Sequence, residues 1–418
     1  MNIWIANHYA TSMYFNRAGR HFWFAEELCK RGHNVTIFCS NIGHNGGESV
    51  NLEGKKYKEI KINDIRFIFV KTSEYSSNSI DRIKNMVLFF LNFKKTAIKL
   101  ISNKGEIPDI IIASSVHPLT LLAGEQLSRK YNIPCICEIR DLWPESLVEE
   151  GLLSPNSVVT GLLYSGEKYI YEKANALIFT FKDGYKYIVD KKWDSSIDAN
   201  KVFYINNGIK NSYYIENINN SFEDADLNND IFKAIYVGAI GEPNKVDLII
   251  NAAETIEKNT QYRISFLIYG DGIQRKKLEA ECEKKNLKSI KFKGLVERSK
   301  IPYILSHSNV NLLTVREEKI SKYGLSMNKL FDYLAAGKPI VSNNPAIRSV
   351  IGSDRCGIVD KTLTDGIIEV YTMSQLEYET VVSHSRKIAE SYDYKVLTDQ
   401  LLMAIKKTIE KYHKETRL

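Results

Sequence analysis

Residues 328–341, with the sequence NKLFDYLAAGKPIV, decide the fold of this 418-residue chain. Apolar residues recur at helical spacing up to Ala336. Gly337 suits the end of a helix, and Pro339 cannot continue one. The apolar residues after Pro339 predict a buried strand. We therefore predict a helix over 327–336 and a strand over 339–342, which is the helix-then-strand order of a parallel α/β sheet.

The same alternation of strand-like and helix-like segments lies on both sides of a polar, asparagine-rich stretch at 211–230. Such alternation predicts parallel sheets with helices on both faces. The predicted strands are 3–6, 35–40, 65–70, 109–113, 134–139, 231–238, 263–269, 290–293, 309–313 and 339–342.

This pattern predicts two Rossmann-like domains, 1–205 and 206–393. A C-terminal amphipathic helix over 394–418 is expected to pack back toward the N-terminal domain. Ligands bind beyond the carboxyl ends of parallel strands. Two such edges facing each other would place the active site in a cleft between the domains.

The composition indicates a globular protein with mixed surface charge. Hydrophobic residues make up 44% of the chain, and 57 basic against 50 acidic residues give a net charge of +7. The basic residues are dispersed and no aromatic-basic module is present, which argues against nucleic-acid binding. The cysteines lack zinc-site spacing and indicate buried thiols in a reducing compartment. With no signal peptide and no long apolar run, a cytoplasmic location is expected.

The start of the predicted 327–336 helix is the first candidate site. The free amide groups and positive dipole end of a helix N-terminus suit a pyrophosphate. Lys329 would add a full charge there, and Asp332 could accept hydrogen bonds from sugar or ribose hydroxyls. The alternative is an ordinary capped helix with a surface lysine.

Two further candidates follow predicted strands of the N-terminal half. Residues 138–145, EIRDLWPE, gather charged side chains at the carboxyl edge of a strand. The alternative is a charged turn in which Trp143 packs. His117 comes shortly after the strand 109–113. A lone histidine is more often structural, but its place at a strand's carboxyl end favours a functional role.

Residues 328–341 resemble the donor-binding motif of family 4 glycosyltransferases, a retaining family with the GT-B fold. The resemblance is to the pattern S-K-L-F-E-Y-M-A-A-G-K-P of bacterial O-antigen and capsule assembly. Shorter matches follow in the expected order at 31–36 (RGHNVT), 207–208 (NG), 236–238 (YVG), 270–272 (GDG) and 292–294 (FKG). The resemblance spans nearly the whole chain and implies GT-B architecture, an α/β fold whose two parallel sheets face an interdomain cleft.

The resemblance also implies roles for individual residues. The segment 140–145 looks like the R-D-L-W-P-E of bacterial transferases acting on sugars such as N-acetylfucosamine. Arg140 and Asp141 would then face the acceptor or the transferred sugar, and His117 would contact the transferred sugar. The expected acceptor-side residues are Arg17, Glu138, Trp143 and Glu145. The expected donor-binding residues are Gly19, Gly238, Lys245, Gly270, Gly272, Asn328, Lys329, Leu330 and Asp332.

The chain departs from the family's pattern where charge compensation is expected. Ala239 stands where an arginine is usual, and Asn244 stands where a lysine is usual. Gly324 replaces the first residue of a paired-glutamate motif, and a single Gly19 replaces paired glycines in the first loop. We therefore expect Lys329 and Lys245 to neutralise the diphosphate. Arg316 is a weaker candidate, and backbone amides near 326–328 would also hold the donor.

The predicted activity is transfer of a sugar, with retention, from a nucleotide sugar to a saccharide acceptor in O-antigen, capsule or lipopolysaccharide biosynthesis. UDP is the expected nucleotide by family prevalence. The expected acceptor is an oligosaccharide or a polyprenyl-diphosphate-linked saccharide. No cofactor or metal is predicted, because the nearest Asp-x-Asp variant, at 224–226, lies in the polar linker and is expected to be solvated.

Two alternatives remain open. A non-hydrolysing UDP-sugar 2-epimerase shares the two-domain architecture, but the charged segment 140–145 argues against it. An inactive sugar-nucleotide-binding protein is the other alternative, and Ala239 and Gly324 favour it.

Residues 86–100, MVLFFLNFKKTAIKL, combine an apolar first part with three lysines. A basic amphipathic helix can lie in a membrane interface. Docking on the anionic inner face of the cytoplasmic membrane would suit a polyprenyl-linked acceptor. A domain helix with one buried face and a fringe of lysines explains the pattern equally well.

Overall fold

The computed structural model describes residues 1–75, 80–259, 261–352, 356–359 and 361–416. The chain divides into two compact units. The first unit comprises Met1–Asn206 together with the segment from Tyr394, and the second comprises Asn207–Asp393. Each unit is built on its own β-sheet.

The sheet of the first unit has the strand order β3-β4-β2-β1-β5-β6-β7-β8. Its strands are β1 (Asn2–Ala6), β2 (Asn34–Ser40), β3 (Tyr57–Ile62), β4 (Ile65–Val70), β5 (Ile110–Ser114), β6 (Cys135–Ile139), β7 (Ala176–Phe179) and β8 (Val202–Tyr204). The central strands are nearly continuous runs of buried apolar residues, as expected when helices cover both faces of a sheet. The helices are α1 (Thr11–Asn16), α2 (Arg20–Lys30), α3 (Ile80–Lys104), α4 (Pro118–Tyr131), α5 (Glu145–Glu149), α6 (Val158–Lys173) and α7 (Gly184–Asp190).

The expectation of a parallel sheet is confirmed for this unit with one correction at its edge. Strand β3 runs antiparallel to β4 through a tight turn. The sequence YKEIKI alternates lysine and glutamate with isoleucine, and the strand is only partly buried. That composition is typical of a charged edge strand and lacks the apolar run used to find the buried strands. Strands β7 and β8 were also missed.

The sheet of the second unit is fully parallel among its described strands, in the order β11-β10-β9-β12-β13-β14. Its strands are β9 (Phe232–Val237), β10 (Ile264–Tyr269), β11 (Ile290–Gly294), β12 (Val310–Leu313), β13 (Ile340–Ser342) and β14 (Gly357–Ile358). The helices are α8 (Asn211–Asn217), α9 (Asp247–Glu257), α10 (Arg275–Lys284), α11 (Ile301–Ser306), α12 (Asn328–Ala336), α13 (Arg348–Ile351), α14 (Leu363–Thr372) and α15 (Gln375–Ser391).

The helix and strand predicted from residues 328–341 are present as α12 and β13. Gly337 ends α12 in the left-handed conformation, with φ 67°, which glycine adopts without the steric cost of a Cβ atom. One face of α12 buries Leu330, Phe331 and Leu334 in the core of the unit. Tyr333 also lies in this core, and its hydroxyl accepts a hydrogen bond from the Val237 amide at 2.9 Å. These contacts fix the start of α12 beside the end of β9.

The last helix, α16 (Tyr394–Thr416), belongs to the first unit and packs on α2. The Tyr394 ring lies 5.0 Å from the rings of both Trp23 and Phe24. Arg31 forms an ion pair with Asp399 at 2.7 Å. The fold of the first unit therefore includes both ends of the described chain.

Helix α3 contains the segment 86–100 and has two apolar faces. Phe89 and Phe93 lie on the inner face and are fully buried in the core. Apolar side chains on the outer face are exposed, including Ile80 at 83% and Ile83 at 61%. Among the described helices, none combines the length and apolarity needed to cross a bilayer.

Candidate active site

In the second unit, the carboxyl end of β9 lies against the start of α12. A Cβ atom on Gly238, the residue after β9, would lie 3.1 Å from the Tyr236 hydroxyl and 3.6 Å from Cδ of Lys329. A side chain at Gly238 would thus crowd the Tyr236 hydroxyl and contact Lys329 at an ordinary van der Waals distance. This brings together Gly238 and Lys329, two of the residues predicted to bind the donor.

Lys329 is held by two polar contacts and one aromatic ring. Its Nζ donates hydrogen bonds to Asn244 Oδ1 at 2.7 Å and to the Tyr236 hydroxyl at 3.1 Å. The same atom lies 4.6 Å from the centroid of the Tyr236 ring. Burial lowers the pKa of Lys329 to about 7. A cation in this position is poorly solvated and would gain strongly from an anionic ligand.

Asn244 is one of the positions at which the chain departs from the family 4 pattern, and its contact with Lys329 compensates for that departure. It stands where a lysine is usual, and its amide oxygen contacts the ammonium group of Lys329. The positive charge missing at position 244 is therefore supplied next to it from α12. Asn328 begins that helix, and the preceding residue Met327 provides no side-chain cap. The helix end thus adds its dipole to the charge of Lys329.

The two other predicted cations already have acidic partners. Lys245 lies 3.7 Å from Glu242 and 3.6 Å from Asp247. Arg316 lies 2.8 Å from Glu242 and also pairs with Glu318. Lys329 has no ion-pair partner within 4.0 Å among the described residues. It is therefore the better candidate for binding a diphosphate.

Gly270 and Gly272 permit two loops to pack backbone against backbone. A Cβ atom on Gly270 would lie 1.8 Å from the carbonyl oxygen of Gly238, and one on Gly272 would lie 2.3 Å from that of Ile240. The Gly238 amide donates to the Tyr269 carbonyl at 3.0 Å. These glycines fix the shape of the sheet edge next to Lys329, and their predicted contact with the donor stays a prediction.

Two other predicted donor-binding residues of α12 are occupied by protein contacts. Leu330 is fully buried in the core, and its amide donates to the Met327 carbonyl. Asp332 accepts a hydrogen bond from Arg298 at 3.1 Å. Burial raises the pKa of Asp332, and the charge of Arg298 opposes that shift. This placement gives no support to a donor contact by the Leu330 side chain.

The Asn-Gly motif at 207–208 positions the loop that leads into α12. Asn207 is buried, and its Nδ2 donates to the carbonyl oxygen of Ser326 at 2.9 Å. Its side chain therefore braces the backbone just before the helix end that carries Lys329.

The expectation that residues 224–226 are solvated is wrong. Asp224 and Asp226 both pair with Lys293, at 2.7 and 2.5 Å. Asp224 also accepts a hydrogen bond from the Tyr269 hydroxyl at 2.7 Å. The two carboxylates thus anchor the polar segment to β10 and β11. Across the described part of the chain, no group of three or more histidine, cysteine or acidic side chains is placed to hold a metal ion.

In the first unit, Glu138 is the centre of a buried polar network at the carboxyl edge of the sheet. Its carboxylate contacts Arg20 at 2.7 Å, His21 at 2.8 Å and the Ser114 hydroxyl at 2.7 Å. Arg20 also donates to the carbonyl oxygen of Ile205 at 2.8 Å. The positive charge of Arg20, together with the hydrogen bonds from Arg20 and His21, holds the pKa of Glu138 well below its usual value despite burial. Glu138 is thus placed to position other residues. Its burial and its contacts are explained without any contact to an acceptor.

Arg140 and Asp141 follow Glu138 at the same edge. The Arg140 amide donates to the Ser115 hydroxyl at 2.9 Å. Its Nε atom is buried without a hydrogen-bond partner among the described residues. Asp141 is exposed at this edge, and the charges of Arg140 and Arg82 act on its carboxylate. Arg82, on α3, therefore lies near this edge and is a candidate that the sequence analysis missed.

His117 is fully buried and forms a 2.7 Å hydrogen bond from its Nε2 to Nδ1 of His8. Burial, together with the charge of Arg82, lowers the pKa of His117 to about 3. The ring is therefore neutral near neutral pH. His8 was missed because its partner is 109 residues away. The sequence feature that could have indicated His8 is its position just after β1. Strand β1 pairs with β5, and His117 follows β5.

The remaining acceptor-side candidates differ in their surroundings. Glu145 pairs with Lys191 and accepts a hydrogen bond from the Tyr164 hydroxyl at 2.6 Å. These contacts tie the 138–145 segment to α6 and α7. Trp143 is partly buried in the same segment.

The loop between α1 and α2 depends on Gly19. Gly19 has φ +117° at the start of α2, a conformation that a side chain would strain. Arg17 lies two residues before it, with its guanidinium group 4.8 Å from the centroid of the Tyr14 ring. The predicted contacts of both residues with substrates stay predictions.

Residues 232–372, which cover most of the second unit, match the family model described as Glycosyl transferases group 1. No curated protein sequence matches the chain significantly. Solved structures match along almost its full length. A sucrose-phosphate synthase from Thermosynechococcus elongatus is 15% identical with a TM-score of 0.70, covering 98% of this chain and 99% of that chain.

Two other similar structures were determined with nucleotide ligands. A trehalose-6-phosphate protein from E. coli, bound with UDP-2-fluoro glucose, is 12% identical with a TM-score of 0.74, covering 97% of this chain and 99% of that chain. The Anabaena protein HepE, in complex with UDP and glucose, is 13% identical with a TM-score of 0.65 and the same coverage. The chain has the GT-B glycosyltransferase fold.

The GT-B fold confirms the predicted class of two parallel α/β sheets. The family match includes Gly238, the 270–272 loop and all of α12, so the lysine-bearing helix end lies inside the matched region. At these low identities the similar structures establish the fold and leave the substrate open. The GT-B chain thus has one polar cluster beside Lys329 in the second unit and another around His117 and Arg140 in the first.

Proposed function

We propose that this protein transfers a sugar from a UDP-linked donor to a saccharide acceptor. The group 1 glycosyltransferase match over 232–372 and the GT-B fold support glycosyl transfer. The UDP compounds bound to the E. coli and Anabaena proteins make UDP the first nucleotide to test.

The observation that carries the proposal is the environment of Lys329. In glycosyl transfer from a nucleotide sugar, negative charge grows on the departing phosphate while positive charge develops on the sugar ring. A partly buried ammonium group at a helix N-terminus stabilises such a phosphate without reorganisation during the reaction. Its contacts with Asn244 and Tyr236 hold it in place before the donor binds.

We further propose that the reaction needs no metal ion and retains the configuration at the transferred carbon. Lys329 and the α12 end supply positive charge to the phosphates. The departing phosphate oxygen would itself take the proton from the acceptor hydroxyl, so no strong protein base is required. The low pKa of His117 fits a group that orients a substrate more than one that moves protons.

We propose that the first unit binds the acceptor, a polyprenyl-diphosphate-linked saccharide or an oligosaccharide used for surface polysaccharides. Support comes from the resemblance of 140–145 to bacterial polysaccharide transferases. Arg140 and Arg82 add positive charge at this edge, which suits an acceptor that carries a diphosphate. An anionic acceptor anchor would also place the enzyme at the inner face of the cytoplasmic membrane.

A panel of nucleotide sugars tests the proposed function directly. The chain is heated with UDP-, GDP- and other nucleotide sugars, and its melting temperature is compared with that of the free protein. We expect stabilisation by a UDP-sugar, followed by slow release of UDP from it. The proposal is contradicted if no nucleotide sugar raises the melting temperature and none is cleaved to release its nucleoside diphosphate.

A further inference from the structure

A row of buried side chains lies behind His117 in the first unit. His117 Nε2 and His8 Nδ1 are 2.7 Å apart, and both residues have 0% exposed surface. Both rings are neutral, because burial lowers both pKa values and Arg82 lies near both. At this distance one of the two nitrogens must carry the hydrogen and the other must accept it. Which of them carries it decides what the second nitrogen of His117 offers to a ligand.

Asn85, on α3, has an amide orientation that its surroundings fix. Its Nδ2 donates to the backbone carbonyl oxygen of Ser73. A carbonyl oxygen can only accept, so the NH₂ group must face Ser73 and Oδ1 must face away from it. The Asn85 side chain also interacts with His8 in the sense that favours a proton on the ring. Phe89, one turn further along α3, stacks on the His8 ring, so the Asn85 side chain lies on the side of His8 and turns Oδ1 toward it.

The His8 ring is held in a narrow slot. It stacks between Phe89, at 4.3 Å with an interplanar angle of 8°, and Tyr9, at 4.4 Å and 26°. Its Nε2 and Asn85 Oδ1 are both buried, and neither has a hydrogen-bond partner in the described chain. A hydrogen on Nε2 lets the two atoms attract each other. A hydrogen on Nδ1 instead would leave two lone pairs facing each other in a dry environment.

The hydrogen on His8 Nε2 determines the state of His117. His8 Nδ1 then carries only a lone pair, so His117 Nε2 must be the donor. His117 Nδ1 is left as an acceptor, and it is buried with no partner among the described residues. An unsatisfied buried acceptor is unfavourable, and a hydrogen of the ligand would satisfy it. His117 precedes α4 just beyond the carboxyl end of β5, where ligands bind in parallel sheets.

We propose that Asn85, His8 and His117 form a polar relay, in which the 2.7 Å His8–His117 hydrogen bond sets the His117 tautomer and presents the Nδ1 lone pair of His117 to a hydroxyl or amide N–H group of the bound sugar. The identity of the ligand as a sugar rests on the proposed function. His8 and Asn85 are positioning residues in this relay, since they act through the tautomer of His117. The relay selects for a sugar with a hydrogen-bond donor at one position and against a sugar that carries fluorine or hydrogen there.

Nitrogen-15 NMR of the full chain with labelled histidine tests the tautomer without any need for activity. Each signal is assigned by single substitution of the histidine concerned, and the exposed His413→Gln variant serves as the control. We expect His117 to show a bare Nδ1 and a protonated Nε2. A protonated Nδ1 on His117 in the wild-type protein would overturn the relay.

Variants then test whether His8 and Asn85 set that tautomer. His8→Phe keeps an aromatic ring between Tyr9 and Phe89 but removes both nitrogens. We expect it to mix the two tautomers of His117. Asn85→Leu should act in the same direction, whereas Asn85→Asp keeps an acceptor and should retain the wild-type tautomer. Unchanged His117 signals in both His8→Phe and Asn85→Leu would contradict the positioning role.

Monodeoxy and deoxyfluoro analogues of UDP-glucose give the functional readout. In the wild-type protein, we expect one analogue to lose about tenfold in kcat/KM, the value of roughly one hydrogen bond. In His8→Phe the kcat/KM penalty of that analogue relative to the parent donor should be smaller, because part of the His117 population then carries its hydrogen on Nδ1. Equal penalties in both proteins would overturn the specificity role. If no nucleotide sugar reacts at all, the proposed function fails while the NMR result still decides the relay.

Discussion

Partial burial makes the positive charge of Lys329 unfavourable in the free protein, and a bound phosphate would offset that desolvation. The Lys329 pKa of about 7 means that a substantial part of the free protein carries a neutral amine near neutral pH. A bound diphosphate raises this pKa again, because two negative charges favour the ammonium form. Donor binding is therefore expected to take up a proton above about pH 7.

Calorimetry of UDP-glucose binding in buffers of different ionisation enthalpy measures that proton uptake. The nucleotide sugar has no phosphate group that titrates in this range, so the proton must go to the protein. We expect net uptake at about pH 8, and affinity that falls by up to about tenfold for each pH unit above 7. Lys329→Arg is the matched control, since arginine stays charged and should show no uptake. Equal uptake by the arginine variant would assign the proton to another group.

Asn244 offers a second test of the same charge. Lys329→Ala removes the ammonium group, while Lys329→Ala with Asn244→Lys returns a lysine to the neighbouring position. We expect the single variant to lose about 10²–10³-fold in kcat, the usual scale for one group that stabilises a developing anion. The double variant should recover part of that loss. A double variant no better than the single one would show that position 244 cannot supply the charge.

The loops after β9 and β10 show how glycine shapes one edge of a sheet. Gly270→Ala would place a methyl group 1.8 Å from a backbone oxygen in a conformation that disfavours side chains. We expect a loss of about 2–4 kcal/mol in the free energy of unfolding, because backbone must move. Gly241→Ala is the control, as its Cβ atom would meet only the Pro243 ring at 3.7 Å. Urea denaturation compares the two, and equal stabilities would show that the loop yields easily.

In helix α3, the structure shows which apolar side chains are exposed and which lie in the core. Phe89 and Phe93 lie in the core, so the exposed apolar side chains are Ile80, Ile83, Val87 and Leu91. We propose that this stripe, flanked by lysines of the same helix, docks on anionic lipid. Co-sedimentation with phosphatidylglycerol vesicles should fall several-fold in the Ile83→Ser, Leu91→Ser variant. Leu376→Ser, exposed on α15, is the control. If the wild-type chain binds neither phosphatidylglycerol vesicles nor neutral vesicles, the docking is ruled out.

Much of the fold could be predicted because buried parallel strands have apolar sequences. The segment 328–341 gave α12 and β13 almost to the residue, since Gly337 and Pro339 mark the helix end. Strand β3 escaped because an edge strand can alternate charged residues with isoleucine. At the site, Lys329 could be predicted from a local helix end. His8, Arg82 and Arg298 could not, because their roles depend on which strands and helices are neighbours in space.

At the scale of the whole molecule, the first unit is assembled from both ends of the described chain. Tyr394 on α16 covers the aromatic side chains of α2. Truncation after Asp393 would expose Trp23 and Phe24 and leave residues 207–393 intact. We expect calorimetry to show a lower melting temperature for the transition of the first unit, with the second unit little changed. Equal melting of the truncated and full chains would show that α16 contributes little.

We propose that this GT-B chain releases a nucleoside diphosphate by means of Lys329. Release of UDP from a UDP-sugar is therefore measured for the wild-type chain, for Lys329→Ala and for Lys276→Ala, which removes an exposed lysine of α10. We predict wild-type release by Lys276→Ala and a loss of about 10²-fold or more in Lys329→Ala at an unchanged melting temperature. Release by Lys329→Ala at the wild-type rate would show that Lys329 does not take part in the release of UDP.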